Sequence, residues 1–286
     1  MMWPFRSRLR RPRPATGHRV GSGRGLRRLA RIGLAAAAAL PALQAAGGAR
    51  PEQTAAVALV VSVDVSQSVD DSRFRLQMEG IAEALEDPGV IAAMTGHPGG
   101  TLFAMVTWAD RAGLALGWRR IATRADALAT AAQVRATPRQ SGEFTCLGQM
   151  FRTVTASVIP ALPVPAERIV VDVSGDGIDN CTDPDDLEAE RTALLATGAT
   201  INGLPILVQG ENDVVGAGAY RAPGYGLRAT PLPQERTDLA QWYGAHVVAG
   251  PGAFLLKAAG YGDFSRALRR KFVIEVSGLA AGKSEE

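Results

Sequence analysis

Apolar residues run without interruption from Val57 to Val63 and stop at Asp64, the pattern of a strand buried on both faces of a parallel sheet. Asp70, Asp71 and Ser72 then supply helix-start chemistry. Phe74, Met78, Ile81 and Leu85 follow at helical spacing until Asp87-Pro88-Gly89 stops the run. Leu102–Trp108 predicts a second strand and Leu114–Trp118 a short third, paired antiparallel after a tight turn over 110–113. The pattern continues with a helix over 124–135 closed by Pro138, a helix over 145–158, a strand over 169–174, a helix over 184–197 and a strand over 200–208. A helical turn over 239–243, a last strand over 246–249 and a closing helix over 264–276 complete the series, with Arg266, Arg269, Arg270 and Lys271 read as a solvated face.

This alternation predicts an α/β fold of three layers: a doubly wound, mostly parallel, six-stranded sheet with one short antiparallel edge strand and helices on both faces. Residues 209–236, rich in Gly and Pro, read as an extended loop insertion within a domain over 55–279, and residues 280–286 as a flexible tail.

Charge changes the picture at the N-terminus. The first 50 residues carry 11 of the 31 basic residues and no acid, leaving 20 basic against 28 acidic in the remainder. An Arg-rich opening, an apolar run over 32–43 and small residues at Ala45, Ala46 and Ala49 have the order of an export leader over 1–49. The apolar run is shorter than the roughly 20 residues that span a bilayer, so no stable transmembrane span is expected. Arg27-Arg28 keeps both the general secretory and the twin-arginine route open. The expected location is periplasmic or extracellular. Because the basic excess sits in the leader, it gives no reason to expect a nucleic-acid partner. Cys146 and Cys181 are the two cysteines, too few with the histidines outside the leader, His97 and His246, to suggest structural zinc.

The candidate chemistry lies at strand ends, where open parallel sheets gather ligands. Asp64 and Asp176 each follow a predicted strand directly. In Asp64-Val65-Ser66-Gln67-Ser68, three alternate oxygen-bearing side chains can converge on one small hard cation, and Thr145 opens a helix after the polar loop Ser141-Gly142-Glu143-Phe144. Helix capping is the plainer use of the same residues.

The pattern DVSQS, a later Thr at a loop-to-helix junction and Asp-Gly after the fourth strand resembles the metal-ion-dependent adhesion site (MIDAS) of von Willebrand A domains. The stretches VDVSGDG, INGLPI and VAGPGAF resemble, more narrowly, the bacterial von Willebrand A family known as DUF1194. The resemblance implies that Ser66, Ser68 and Thr145 reach a divalent ion through hydroxyls, with Asp64 and Asp176 acting directly or through water. The ion expected is Mg²⁺, with Mn²⁺ or Ca²⁺ as alternatives, and an open position on it would take an acidic residue of a protein partner. If the site forms, Cys146 and Cys181 become neighbours, and either a disulfide bracing the rim or two free thiols follows.

The expected function is therefore docking or adhesion. Two other classes compete with it: a Mg²⁺-dependent phosphatase of haloacid-dehalogenase type, suggested by Gly175-Asp176-Gly177-Ile178-Asp179-Asn180, and a structural envelope protein without metal. The phosphatase pattern departs at one position, because such enzymes carry an acid two residues after the nucleophilic Asp and Ser66 stands there. Asp172, inside an apolar strand, is expected to pair with a helix Arg or Lys. Asp179, Asp183, Asp185 and Asp186 read as turn and cap residues, and Trp108 and Trp118 as packing residues.

Overall fold

The computed structural model describes residues 54–140, 142–212, 215 and 237–278. The expected leader, most of the 209–236 insertion and the tail lie outside the described residues.

Five strands, β1 (Ala55–Asp64), β2 (Thr101–Trp108), β3 (Ala112–Ile121), β4 (Ala166–Gly175) and β5 (Ala199–Pro205), form one sheet in the order β3-β2-β1-β4-β5. Only the β2–β3 pairing is antiparallel. The chain therefore builds outward from β1 to one edge, then returns to β1's other side with β4, and strand order reverses between β1 and β4.

Helices α1 (Asp71–Glu86), α2 (Pro88–Thr95), α3 (Arg124–Arg135) and α7 (Phe264–Ser277) cover one face; α4 (Leu147–Thr153), α5 (Pro184–Leu195) and α6 (Leu239–His246) cover the other. Strand pleating divides the core accordingly. Leu59 and Val61 pack with Ile81, Phe103 and Phe272, whereas Val60 packs with Val106, Trp108, Phe151 and Tyr243. Among the described residues no helix is long and apolar enough to cross a membrane.

Among the described residues the sheet has five strands rather than the expected six. Residues 246–249 do not form a strand: α6 runs on to His246, and only single bridges, Ile201 with Ala249, Gly203 with Leu255 and Ile206 with Ala258, follow the outer edge of β5. Gly250 and Gly252 at positive φ, flanking a proline without an N–H, prevent a regular ladder there.

Other boundaries move for local reasons. Asp87-Pro88-Gly89 ends α1 but also opens α2, because the Asp87 carboxylate accepts from the N–H groups of Gly89 and Val90 and Pro88 occupies the first turn. The third strand spans ten residues and is not short. The helix expected over 145–158 starts at Leu147 and widens into a π turn over Val154–Val158. Lys271 is not part of a solvated face: it is fully buried, its Nζ 2.7 Å from Asp172 Oδ1 and also bonded to Glu275. Asp172 thus has the helix partner its burial demands. Asn202, beside Asp172 in the β4–β5 register, donates to Glu275 over 2.8 Å. Burial raises the Asp172 carboxyl and, helped by Asp172's charge, pushes that of Glu275 up to about 7.

Candidate metal centre

Asp64 ends β1 and Asp176 follows β4, so the two carboxylates flank the point where strand order reverses, the position at which open α/β sheets hold ligands. After β1 the chain turns tightly because Asp64 Oδ1 accepts the Ser66 N–H over 2.7 Å. That turn brings Ser66 and Ser68 to the rim before Asp70 caps α1 through the Arg73 N–H. Gln77 on α1 donates to the Asp64 carbonyl over 3.1 Å and fixes the turn from beneath.

All five residues singled out from sequence meet here. Ser66 Oγ lies 3.2 Å from Ser68 Oγ and 3.2 Å from Thr145 Oγ1, and Ser68 Oγ donates to Asp176 Oδ1 over 2.6 Å. Neighbouring ligands of an octahedral ion with bonds of about 2.1 Å stand about 3 Å apart, close to these spacings. Asp64 Oδ2 is buried and has no hydrogen-bond partner among the described residues. An orphaned carboxylate oxygen beside three hydroxyls fits a small hard cation. Burial, and then the charge of Asp176, push the Asp64 carboxyl up to about 8. Gly175 is required between the two: a Cβ there would stand 2.7 Å from Tyr243 Oη and 3.0 Å from Asp64 Oδ2. Among the described residues no three Asp, Glu, His or Cys side chains converge, so the donor set is rich in hydroxyls.

Thr145 is held from several sides. Its N–H donates to Asn180 Oδ1 over 2.9 Å and its carbonyl accepts the Asn180 N–H over 3.0 Å. Cys146 and Cys181 are joined in a disulfide with a Cα separation of 5.3 Å. Asp179, buried, accepts from the Cys181, Thr182 and Gly148 N–H groups and from the Thr182 hydroxyl, and so ties the start of α4 to the loop after β4. Its role is that of a turn residue. Asp183 caps α5 through the Asp185 N–H. On the other side, Asp110 accepts the N–H groups of Glu143 (3.0 Å) and Phe144 (2.6 Å), anchoring the loop that leads into Thr145. Trp108 is buried and Trp118 donates to the Val158 carbonyl, both as packing residues.

Three participants had no sequence signal. Tyr261 donates to Asp176 Oδ2 over 2.9 Å. Arg73 Nη1 lies 3.5 Å from the same oxygen and donates to the Ser68 carbonyl over 2.9 Å, while Nη2 pairs with Glu211 at 2.5 Å. Asn212, buried, donates to the carbonyls of Asp176 and Ile206. Tyr261 and Asn212 come from segments remote in sequence and Arg73 from the helix that follows the Ser66–Ser68 turn, and nothing in the local pattern of any of them marks a site.

A family model described as a protein of unknown function (DUF1194) matches residues 54–280. Among solved structures, proximal thread matrix protein 1 from the mussel byssus is 16% identical over 78% of this chain and 47% of its own, with a TM-score of 0.52. A structure of that protein with a zinc-occupied MIDAS motif is 17% identical over 77% of this chain and 45% of its own, with a TM-score of 0.50. A von Willebrand factor type A structure from Catenulispora acidiphila is 16% identical over 78% of this chain and 43% of its own, also with a TM-score of 0.50. The chain thus spans about half the length of these structures. At such identities the likeness shows the fold, an α/β domain of von Willebrand A type. No curated protein matches the sequence.

Proposed function

The chain belongs to the DUF1194 family, and on that premise we propose that it is an exported docking module. In this reading a divalent cation held by Asp64, Ser66, Ser68, Thr145 and Asp176 binds an acidic residue of a protein partner. The observation that carries the reading is the set of hydroxyl and carboxylate oxygens 2.6–3.2 Å apart beside the orphaned Asp64 Oδ2. Where Asp64 and Asp176 act through water, the ion's direct ligands are neutral hydroxyls and waters, and an anionic group of a partner can bind the ion directly. Mg²⁺ suits a set of hard oxygens of this spacing best, with Mn²⁺ and Ca²⁺ as the other ions to test. A mussel protein of the same fold carries zinc at its MIDAS motif, which supports a cation at this rim in this fold.

Binding rather than catalysis is favoured because Ser66 occupies the position where a phosphatase of this layout needs an acid to protonate its leaving group. Export is supported by the charge and apolar order of residues 1–49 and by the Cys146–Cys181 disulfide, which persists in oxidising compartments.

Calorimetric titration of the purified chain with Mg²⁺, Mn²⁺ and Ca²⁺ tests the proposal. Saturable binding of at least one ion, lost in Ser66→Ala, is expected. A folded wild-type chain that takes up none of the three sinks it. Capture from envelope extract with and without chelator, comparing wild type with Asp64→Ala, then tests the acidic partner.

A further inference from the structure

The five proposed ligands do not stand alone at the rim, because a fixed positive charge is built in beside them. Arg73 sits in the first turn of α1, its side chain only 22% exposed and stacked over the Tyr261 ring at 5.2 Å. One guanidinium nitrogen serves the Ser68 carbonyl and approaches Asp176 Oδ2; the other holds Glu211. Glu211 is half exposed, but its neighbour Asn212 is buried and pins the loop to the backbone of Asp176 and Ile206, so the Glu211 end of the pair is positioned as well.

We propose that Arg73 is a resident counter-charge that limits how tightly the rim holds a divalent ion, and that Glu211 governs it by drawing off part of the guanidinium's charge. This rests on the docking reading above. The electrostatics give its sign. With a cation bound, Asp64 and Asp176 as carboxylates face it with two negative charges; Arg73 offsets one of them, and Glu211 offsets Arg73 in turn. Removing the guanidinium deepens the negative potential at the rim, whereas removing Glu211 makes it shallower.

A purely structural role for Arg73 predicts the opposite sign. Without its bond to the Ser68 carbonyl, the turn carrying Ser66 and Ser68 would loosen, and a cation would be held less well.

The test is calorimetric titration of Mg²⁺ into the full chain at low ionic strength, comparing wild type, Arg73→Gln, Arg73→Lys and Glu211→Gln, each checked for folding by circular dichroism. Arg73→Gln is expected to tighten Mg²⁺ binding on the order of tenfold, from one unit charge lost beside the ligands. Arg73→Lys, which keeps the charge, stays near wild type. Glu211→Gln weakens binding by roughly two- to threefold, less because that carboxylate is half exposed and solvent-screened. Adding Ser66→Ala to Arg73→Gln abolishes the gain, which locates it at this rim, and 0.5 M KCl shrinks the gain, which identifies it as electrostatic. If wild type binds Mg²⁺ and Arg73→Gln binds it equally or more weakly, the counter-charge role is overturned while the docking reading stands. If neither chain takes up a divalent ion although both are folded, both fall together.

Discussion

Replacing Lys271 with Met tests whether the polar cluster beneath α7 is held together by charge. The ammonium is fully buried and lies between Asp172, at 2.7 Å, and Glu275. Met fills nearly the same volume, so the substitution removes a charge with little cavity. Breaking a buried pair by deleting one partner costs about 3–5 kcal/mol, because the remaining charges stay desolvated. Here two carboxylates are left behind, and their escape is to bind protons. Glu275 is already pushed up to about 7 with the lysine present, by burial first and the charge of Asp172 second. Without the lysine both carboxyls rise further.

The sign follows from linkage: a carboxyl raised in the folded state contributes most below its unfolded pKa and loses that contribution as pH rises through the folded value. The penalty of Lys271→Met is therefore small near pH 5 and grows toward pH 8, by at most about 1.4 kcal/mol per pH unit for each proton the folded state retains. Urea unfolding of both chains at pH 5, 6, 7 and 8 measures it. A loss below about 1 kcal/mol at pH 8, or a loss independent of pH, would refute the reasoning. Replacing Asp172, Lys271 and Glu275 together by apolar residues should recover most of the stability, since apolar substitution of whole buried ion clusters is often neutral or better.

Three further outcomes are expected. Reducing the Cys146–Cys181 bond, which closes a 35-residue separation, should lower stability by about 4 kcal/mol if the effect is mainly unfolded-chain entropy; thermal unfolding with and without dithiothreitol reads this, and an unchanged midpoint refutes it. Asp179→Ala strands the N–H groups of Cys181, Thr182 and Gly148, so chemical denaturation should show a loss of about 2–4 kcal/mol; a loss under 0.5 kcal/mol means the loop does not need its clamp. Gly175→Ala drives a methyl into Tyr243 and Asp64 and should cost about 1–3 kcal/mol and abolish Mg²⁺ uptake; full retention of both stability and uptake contradicts the tight approach of the two elements.

How much of this was legible in the sequence depends on whether the cause is local. The unbroken run from Val57 to Val63 encodes a strand buried on both faces, and β1 is the central strand of the sheet. Asp64, Ser66, Ser68, Thr145 and Asp176 were readable because each stands at a strand end or loop-to-helix junction and their order matches a known pattern. Arg73, by contrast, falls in an ordinary helical turn, and only the fold brings Tyr261 and Glu211 to it. Lys271 was misread for a related reason. Within a run of basic residues its neighbours face water, and its burial is decided by Asp172, 99 positions away in the chain. Asp87-Pro88-Gly89 misled because the residues that end one helix also start another. The sixth strand failed because Gly250, Pro251 and Gly252 leave only isolated bridges to β5.

Thr145 stands between a covalent cross-link at the next residue and a reciprocal pair of bonds to Asn180, with Asp110 fastening the loop that leads in. Its backbone is pinned on both sides, and its hydroxyl donates to that of Ser66. In the proposed docking reading, the entropy of lining up that oxygen is spent when the chain folds, so an arriving ion would meet a seat already set and keep most of its binding free energy for holding on.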